Sequence, residues 1–103
     1  MSLKPDLEKI LKDLLEDLKE DVVGCAFVRL NGSMIAAKLP SREDEQMVAT
    51  LSATINDAAR KLCGSLKKGE HLRTLIEGSG GKIVFMPIGR GVILVAVTSE
   101  EPI

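Results

Sequence analysis

Aromatic side chains are almost absent from this chain. It contains no Trp and no Tyr, and Phe27 and Phe85 are its two Phe residues. Proteins that bind single-stranded nucleic acid stack successive bases on aromatic side chains, so a site of that kind is largely excluded. The core of the fold must instead be built from aliphatic residues.

Residues that carry chemistry are also few. The chain has one His, His71, and two Cys, Cys25 and Cys63, which do not form a C-x-x-C pair. A single His with no Cys near it in sequence predicts neither a metal site nor a Ser-His-Asp triad. A cytosolic setting would keep both thiols reduced. We therefore assign no catalytic residue, metal ligand or cofactor, and expect a protein that is not an enzyme.

Neither sign of charge dominates. Fourteen basic residues stand against 15 acidic ones, for a formal net charge of -1, whereas nucleic-acid binders usually carry a clustered basic excess. The N-terminus lacks the layout of a signal peptide, and no apolar run approaches the ~20 residues of a membrane span. We expect a cytoplasmic protein with no nucleic-acid partner and no membrane insertion.

The length of 103 residues predicts a single domain over 1–103. Its first element is "PDLEKILKDLLEDLKED", in which Leu and Ile recur every three or four residues and predict an amphipathic helix. The dipeptide Asn31-Gly32 then predicts a hairpin turn between a strand over 22–30 and a strand over 33–38. Pro40 ends the second strand.

A second helix is predicted over 41–64, with Ser41 and Asp44 as a capping box and Gly64 at the C-terminus. One stripe of this helix is bulky, and we expect it to pack on a sheet. The flank beside it is small, and either accepts another helix closely or is the exposed alanine surface of a good helix former. The bulky stripe is Met47, Val48, Leu51, Ile55, Ala58 and Leu62, and the small flank is Ala49, Ser52, Ala53, Asn56, Ala59 and Cys63.

Three strands follow in "EHLRTLIEG", "KIVFMPI" and "GVILVAVT". The short connectors "GSGG" and "GRG" force neighbouring strands to run antiparallel. The last two strands are apolar on both faces, so both faces need a cover, and two helices are available. We predict an α/β sandwich, with a five-stranded antiparallel sheet of order 2-1-5-4-3 between helix 1 and helix 2. The third strand is then an open edge that carries Leu72, Thr74 and Ile76, and it invites another strand.

Two short motifs could suggest a phosphate-binding role, and in both cases a simple turn is the favoured interpretation. "GSGGK" lacks the spacing of a phosphate-binding loop, and a strand follows it rather than a helix, so we interpret it as a hairpin turn. Arg90 in "GRG" could reach a GTPase's nucleotide site, but an exposed turn residue is the favoured interpretation.

Five short sequences follow one another along the chain: Val23-Gly24, Asn31-Gly32, Ala58-Ala59, Glu77-Gly78 and Pro87-Ile88-Gly89. Together with the element order, they resemble the Roadblock family of dynein light chains. The resemblance covers roughly residues 7–98 and has a profilin- or longin-like αββαβββ topology. It implies a dimer in which the third strands pair antiparallel and the second helices pack together. It also implies a regulator or scaffold of Ras-like small GTPases, or a dynein-type adaptor.

Three functions are weighed on this basis. The first is a non-catalytic homodimeric regulator of a Ras-like GTPase, the second a passive dimeric scaffold, and the third a small-molecule sensor that needs a pocket with convergent polar groups. A GTPase assay separates the first two, because a scaffold leaves hydrolysis and exchange unchanged. The sequence does not identify the GTPase. The expected dimer interface comprises Ala49, Ser52, Ala53, Asn56, Ala59, Leu72, Thr74 and Ile76.

Overall fold

A computed structural model describes residues 22–40 and 44–99 of the chain. These residues form five strands and one helix, α1, which is the second of the two predicted helices. The first predicted helix lies outside the described residues. The elements are β1 (Val22–Arg29), β2 (Met34–Lys38), α1 (Glu45–Ser65), β3 (Thr74–Gly78), β4 (Gly81–Pro87) and β5 (Val92–Thr98).

The strands form one antiparallel sheet of order β2-β1-β5-β4-β3, which confirms the predicted order. The short turns at 79–80 and 88–91 fix β3, β4 and β5 as neighbours in sequence order. The apolar strand β5 lies at the centre, and all but one of its residues are buried. Strand β3 begins at Thr74, later than the predicted start at residue 70, so Leu72 precedes the strand.

The predicted turn at Asn31-Gly32 is present, although its loop is longer than two residues. The side-chain oxygen of Asn31 accepts hydrogen bonds from the backbone N–H and the hydroxyl of Ser33, at 3.0 and 2.7 Å. Gly32 has a φ of 89°, which glycine adopts without steric cost. The loop is closed by the N–H of Arg29, which donates to the carbonyl of Ser33 at 2.9 Å.

Both faces of the sheet carry buried apolar residues, as the strand pattern predicts. The face under α1 contains Ala26, Val28, Phe85, Ile93 and Val95, packed against Ala49 of the helix. The opposite face contains Val84, Leu94 and Ala96. Aliphatic side chains dominate both clusters, which the near absence of aromatic residues requires.

The ends of α1 differ from those predicted. Asp44 precedes the helix with a φ of 61° and makes no side-chain capping bond. It therefore does not act as the acidic residue of a capping box. Gly64 lies inside the helix rather than after it. The chain turns at Lys67 instead, which has a φ of 57°. The N–H of Lys68 then bonds to the carbonyl of Cys63 at 2.8 Å, and the N–H of Lys67 to that of Gly64 at 3.2 Å. This bonding satisfies two of the last free helix carbonyls.

The face of α1 that is buried against the sheet is mainly the small flank, whereas the bulky stripe was expected there. The buried residues of α1 are Ala49, Ser52 and Asn56, all from the small flank. Ala53 of the small flank and Ile55 of the bulky stripe are partly buried against the core cluster. Short side chains let the helix approach the sheet closely, and bulky ones at these positions would hold it away. Most of the bulky stripe therefore remains at the surface. No helix among the described residues is both long and apolar enough to cross a lipid bilayer.

Candidate protein interaction surface

An apolar stripe lies exposed along α1. Met47, Leu51 and Leu62 are each more than half exposed. These three residues lie on one side of the helix because their spacings of four and eleven residues are close to whole helical turns. A row of large exposed apolar side chains on one helix is characteristic of an interaction surface. We call these three residues the α1 stripe.

An apolar groove adjoins the α1 stripe, between α1 and the strands β3, β4 and β5. Its volume is about 310 Å³, and Ser52 is the one polar residue among the described residues that line it. Leu51 belongs to both the stripe and the groove, so the two surfaces are continuous. Ile76 of β3 lies on the groove's other side. The lining comprises Leu39, Val48, Leu51, Ser52, Ile55, Ile76, Ile83, Phe85, Val95 and Val97.

Strand β3 pairs only with β4 among the described strands. The orientation of its backbone groups follows from a bond on the far side of β4, where the N–H of Lys82 donates to Oγ1 of Thr98 at 3.0 Å. The N–H of Lys82 therefore points towards β5 and away from its partner Glu77. Antiparallel strands alternate between pairs that exchange hydrogen bonds and pairs that do not. Glu77, and by alternation Leu75, thus present their backbone N–H and C=O groups at the open edge.

The predicted interface residues separate into two groups. Those on the strand side are accessible in part: Leu72 and Ile76 are exposed, and Thr74 is half-buried. Those on the helix are not free. Ala49, Ser52 and Asn56 are buried within the chain, and Ala53 and Ala59 are half-buried. The sheet of the same chain already covers the three buried residues, so the half-buried Ala53 and Ala59 are the accessible part of the predicted helix contact.

The residues that sequence reasoning missed are those of the α1 stripe. Their signal was present in the sequence, since Met47, Leu51 and Leu62 were recognised as one helical face. They were assigned to the sheet because a bulky apolar face is the usual choice for a core. What reverses the assignment is the parallel run of small residues, which fits against a sheet whose own side chains already fill the core.

The charged and polar groups near this surface form local pairs. The carboxylate of Asp57 accepts from Arg60 at 3.0 Å and from Lys61 at 2.9 Å. These hydrogen bonds, chiefly the one from Lys61, lower the pKa of the Asp57 carboxyl. Within residues 22–40 and 44–99, no three His, Cys, Asp or Glu side chains are grouped so as to hold a metal ion.

The two glycine-rich motifs are turns in the structure. Ser79 and Gly80 connect β3 to β4, so "GSGGK" lies in a hairpin and not at the start of a helix. Arg90 lies in the turn between β4 and β5 with a φ of 57°, between Gly89 and Gly91, which also have positive φ. Arg90 is exposed, as the favoured interpretation expects.

Comparison with known proteins identifies relatives over most of the chain. An uncharacterized protein of Methanocaldococcus jannaschii, MJ0310, is 27% identical over 94 residues, which cover 91% of this chain and 81% of that protein. The structure of Myxococcus xanthus MglB is similar with a TM-score of 0.69 and 21% identity, covering 85% of this chain and 71% of MglB. A Roadblock/LC7 domain from Streptomyces avermitilis gives a TM-score of 0.71 at 12% identity, covering 78% of this chain and 68% of that one.

The two solved structures resemble this chain in fold, with the same kind of sheet and helix as described above. The sequence match is more extensive, because the model of the Roadblock/LC7 domain matches residues 9–98 and so includes α1 and all five strands. The chain therefore belongs to the Roadblock/LC7 family.

Proposed function

We propose that this chain is a non-catalytic homodimeric regulator of a Ras-like small GTPase, acting in the cytoplasm. The observation that carries the proposal is the continuity of three features: the α1 stripe, the apolar groove and the open edge of β3. Together they form one surface that combines apolar side chains with free backbone hydrogen-bonding groups. A second copy of the chain can cover the apolar side chains and pair with the free backbone groups at the same time.

In the proposed dimer, β3 of each copy pairs antiparallel and extends the sheet across both subunits. Leu75 and Glu77 supply the backbone donors and acceptors for this pairing. The two α1 helices then meet beside the seam through Leu51 and its neighbours in the α1 stripe. This arrangement retains the interface elements implied by the family resemblance. It replaces the small flank of the helix by its bulky face, because burial removes Ala49, Ser52 and Asn56 from the surface.

Regulation in this proposal requires no reacting group on the chain. A dimer that binds one nucleotide state of a GTPase more tightly than the other shifts the population towards that state. The size of the shift is limited by the difference between the two affinities. Family membership supports this role, since the resemblance implies partners of the Ras-like class. The described residues suit it because their exposed surface is apolar and extended.

The experiment that tests the proposal uses the immobilised full chain and a lysate of its native organism. The lysate is supplied with GDP in one arm and with a non-hydrolysable GTP analogue in the other. A Ras-like GTPase retained more strongly in one arm supports the proposal. Retention of no such GTPase in either arm contradicts it. A matched column of L51E chain reports whether retention depends on the α1 stripe.

A kinetic assay on the captured GTPase then separates regulation from passive scaffolding. The rates of single-turnover GTP hydrolysis and of nucleotide exchange are measured with and without the chain. A regulator changes at least one of these rates. Binding that leaves both rates unchanged would establish a scaffold and overturn the regulatory part of the proposal.

A further inference from the structure

A second cavity lies beyond the apolar groove, towards the C-terminal half of α1. Its volume is about 540 Å³, within the range of roughly 300–1,000 Å³ typical of small-molecule sites. It is formed by the last turns of α1, the segment that leads into β3, and the turn between β4 and β5. We call it the polar cavity. The lining residues are Asn56, Arg60, Gly69, Glu70, His71, Leu72, Pro87 and Gly89.

Two side chains of the polar cavity have buried atoms without a hydrogen-bond partner in the protein, Oδ1 of Asn56 and Nδ1 of His71. Asn56 is only 5% exposed. The other ring nitrogen of His71, Nε2, lies 2.6 Å from Oγ1 of Thr74, so this bond fixes the ring. Buried polar groups are nearly always paired, and an unpaired one requires an explanation. Asn56 and His71 both line the same cavity, and the inference rests on this coincidence of two unpaired polar groups beside one cavity.

The described lining of the polar cavity carries one cation, Arg60, and one anion, Glu70, and the residues that flank the lining in sequence add positive charge. Arg60 lines it, and its guanidinium has donors to spare beyond the bond to Asp57. Lys67 and Lys68 directly precede the lining residue Gly69, and Arg90 directly follows Gly89. Within residues 22–40 and 44–99, Glu70 is the one acidic residue that lines the cavity. An anionic ligand is therefore favoured over a cationic one.

We propose that the polar cavity binds a small soluble molecule that carries a phosphate group. Arg60 matches the charge of phosphate, since guanidinium groups bind it with strong paired hydrogen bonds. When the Thr74 hydroxyl donates to Nε2 of His71, the Nδ1–H of that ring is free to donate to a phosphate oxygen. A protonated phosphate also carries an O–H, which Oδ1 of Asn56 can accept. The organic part of the ligand lies along Leu72 and Pro87.

This site is independent of the proposed function. It uses neither the α1 stripe nor the open edge of β3, and it requires no GTPase. It also supplies the convergent polar groups that a small-molecule sensor requires and that the sequence did not reveal. The sequence places Asn56 in the expected dimer interface and His71 within "EHLRTLIEG", the predicted edge strand.

The test is a titration of the full chain followed by NMR at pH 6.5 and constant ionic strength. Because His71 is the only His, its ring signals are unambiguous. The probes are inorganic phosphate, sulfate and glycerol 3-phosphate. Phosphate keeps an O–H at this pH whereas sulfate does not, so phosphate should bind about 2- to 10-fold more tightly. Glycerol 3-phosphate should bind at least as tightly as phosphate. In each case the His71 signals should shift and saturate.

A matched pair of variants identifies the cation responsible. Arg60 and Lys61 both pair with Asp57 and are similarly exposed, but only Arg60 lines the polar cavity. R60Q should weaken phosphate binding about 10-fold, as expected for the loss of one charge-assisted hydrogen bond. K61Q should leave it unchanged. Both positions are at the helix surface, so neither substitution should unfold the chain.

Three results would overturn the inference. One is the absence of any saturable shift of the His71 signals with phosphate or glycerol 3-phosphate at concentrations on the order of 10 mM. Another is equal weakening in R60Q and K61Q, which would indicate general charge attraction. The third is Arg60-dependent sedimentation of the chain with vesicles containing phosphatidic acid, which would assign the site to a lipid headgroup. None of these results bears on dimerisation or on GTPase binding.

Discussion

The backbone N–H of Lys82 bonds to Oγ1 of Thr98 across 3.0 Å, and this contact determines which groups β3 exposes. The backbone N–H of Lys82 points towards β5. The backbone N–H and C=O of its partner Glu77 therefore point away from β4, towards the open edge. A proline at residue 77 would therefore remove an edge donor without removing a bond to β4, and prolines are tolerated on edge strands.

We expect E77P to prevent pairing of β3 with a second copy. Light scattering should give a mass near 11.1 kDa for E77P, and near twice that value for the unmodified chain. Refractive-index detection is needed because the chain has no Trp or Tyr. E77Q is the control, since it removes the same charge but keeps the N–H, and it should remain dimeric. A dimeric E77P would place the interface elsewhere.

A charge in the α1 stripe should have the same effect by a different route. L51E would bury a carboxylate in the proposed helix contact, where it has no partner, so we expect dissociation at low micromolar concentration. The matched control is L30E, because Leu30 is 56% exposed and Leu51 is 51% exposed. Leu30 lies in the turn after β1 and belongs neither to the α1 stripe nor to β3, so L30E should leave the mass unchanged. If both variants dissociate, the loss is not specific to the α1 stripe.

Replacement of two glycines by alanine should change the stability of the fold in opposite directions. A Cβ at Gly24 would lie 2.7 Å from Cδ of Pro40 and 3.0 Å from the carbonyl oxygen of Lys38, so G24A should destabilise the fold by about 1–3 kcal/mol. Gly64 lies in α1 with no atom within 4 Å of such a Cβ. G64A should therefore stabilise the chain by up to about 1 kcal/mol. Urea unfolding followed by far-UV circular dichroism measures both, and a stabilised G24A would contradict the packing described here.

The salt bridges of Asp57 predict a pH dependence. Its folded-state pKa lies below the ordinary value of 3.8, so the contact stabilises the fold above that value, and the stabilisation is lost as the pH falls through the lowered pKa. A titration of the Asp57 carboxyl carbon by NMR should show this low pKa. K61Q should raise it, and R60Q should raise it less, because the Lys61 bond is the largest cause. An unchanged pKa in K61Q would contradict this assignment.

The sequence predicted the sheet better than it predicted the helix packing. Short glycine turns leave few ways to connect β3, β4 and β5, so the order of these three strands follows from the length of their connections. The orientation of α1 does not, because its sequence carries two adjacent faces, one bulky and one small, and either could meet a sheet. The choice depends on how much space the β5 side chains leave, which Ile93 and Val95 determine in three dimensions. The polar cavity depends on the same docking, since Asn56 lines a cavity with His71 only when the small face lies inward.

The inward position of that small face also affects how temperature should act on the assembly. Because α1 is docked through Ala49, Ser52 and Asn56, its Leu and Met side chains keep their rotamer freedom in the isolated chain and lose it only when a partner covers them. Burial of those side chains would then be driven largely by the release of water, and the association would have a negative heat-capacity change. Such an association weakens on cooling. A dimer of this chain should therefore dissociate to a greater extent in the cold than at warmer temperatures.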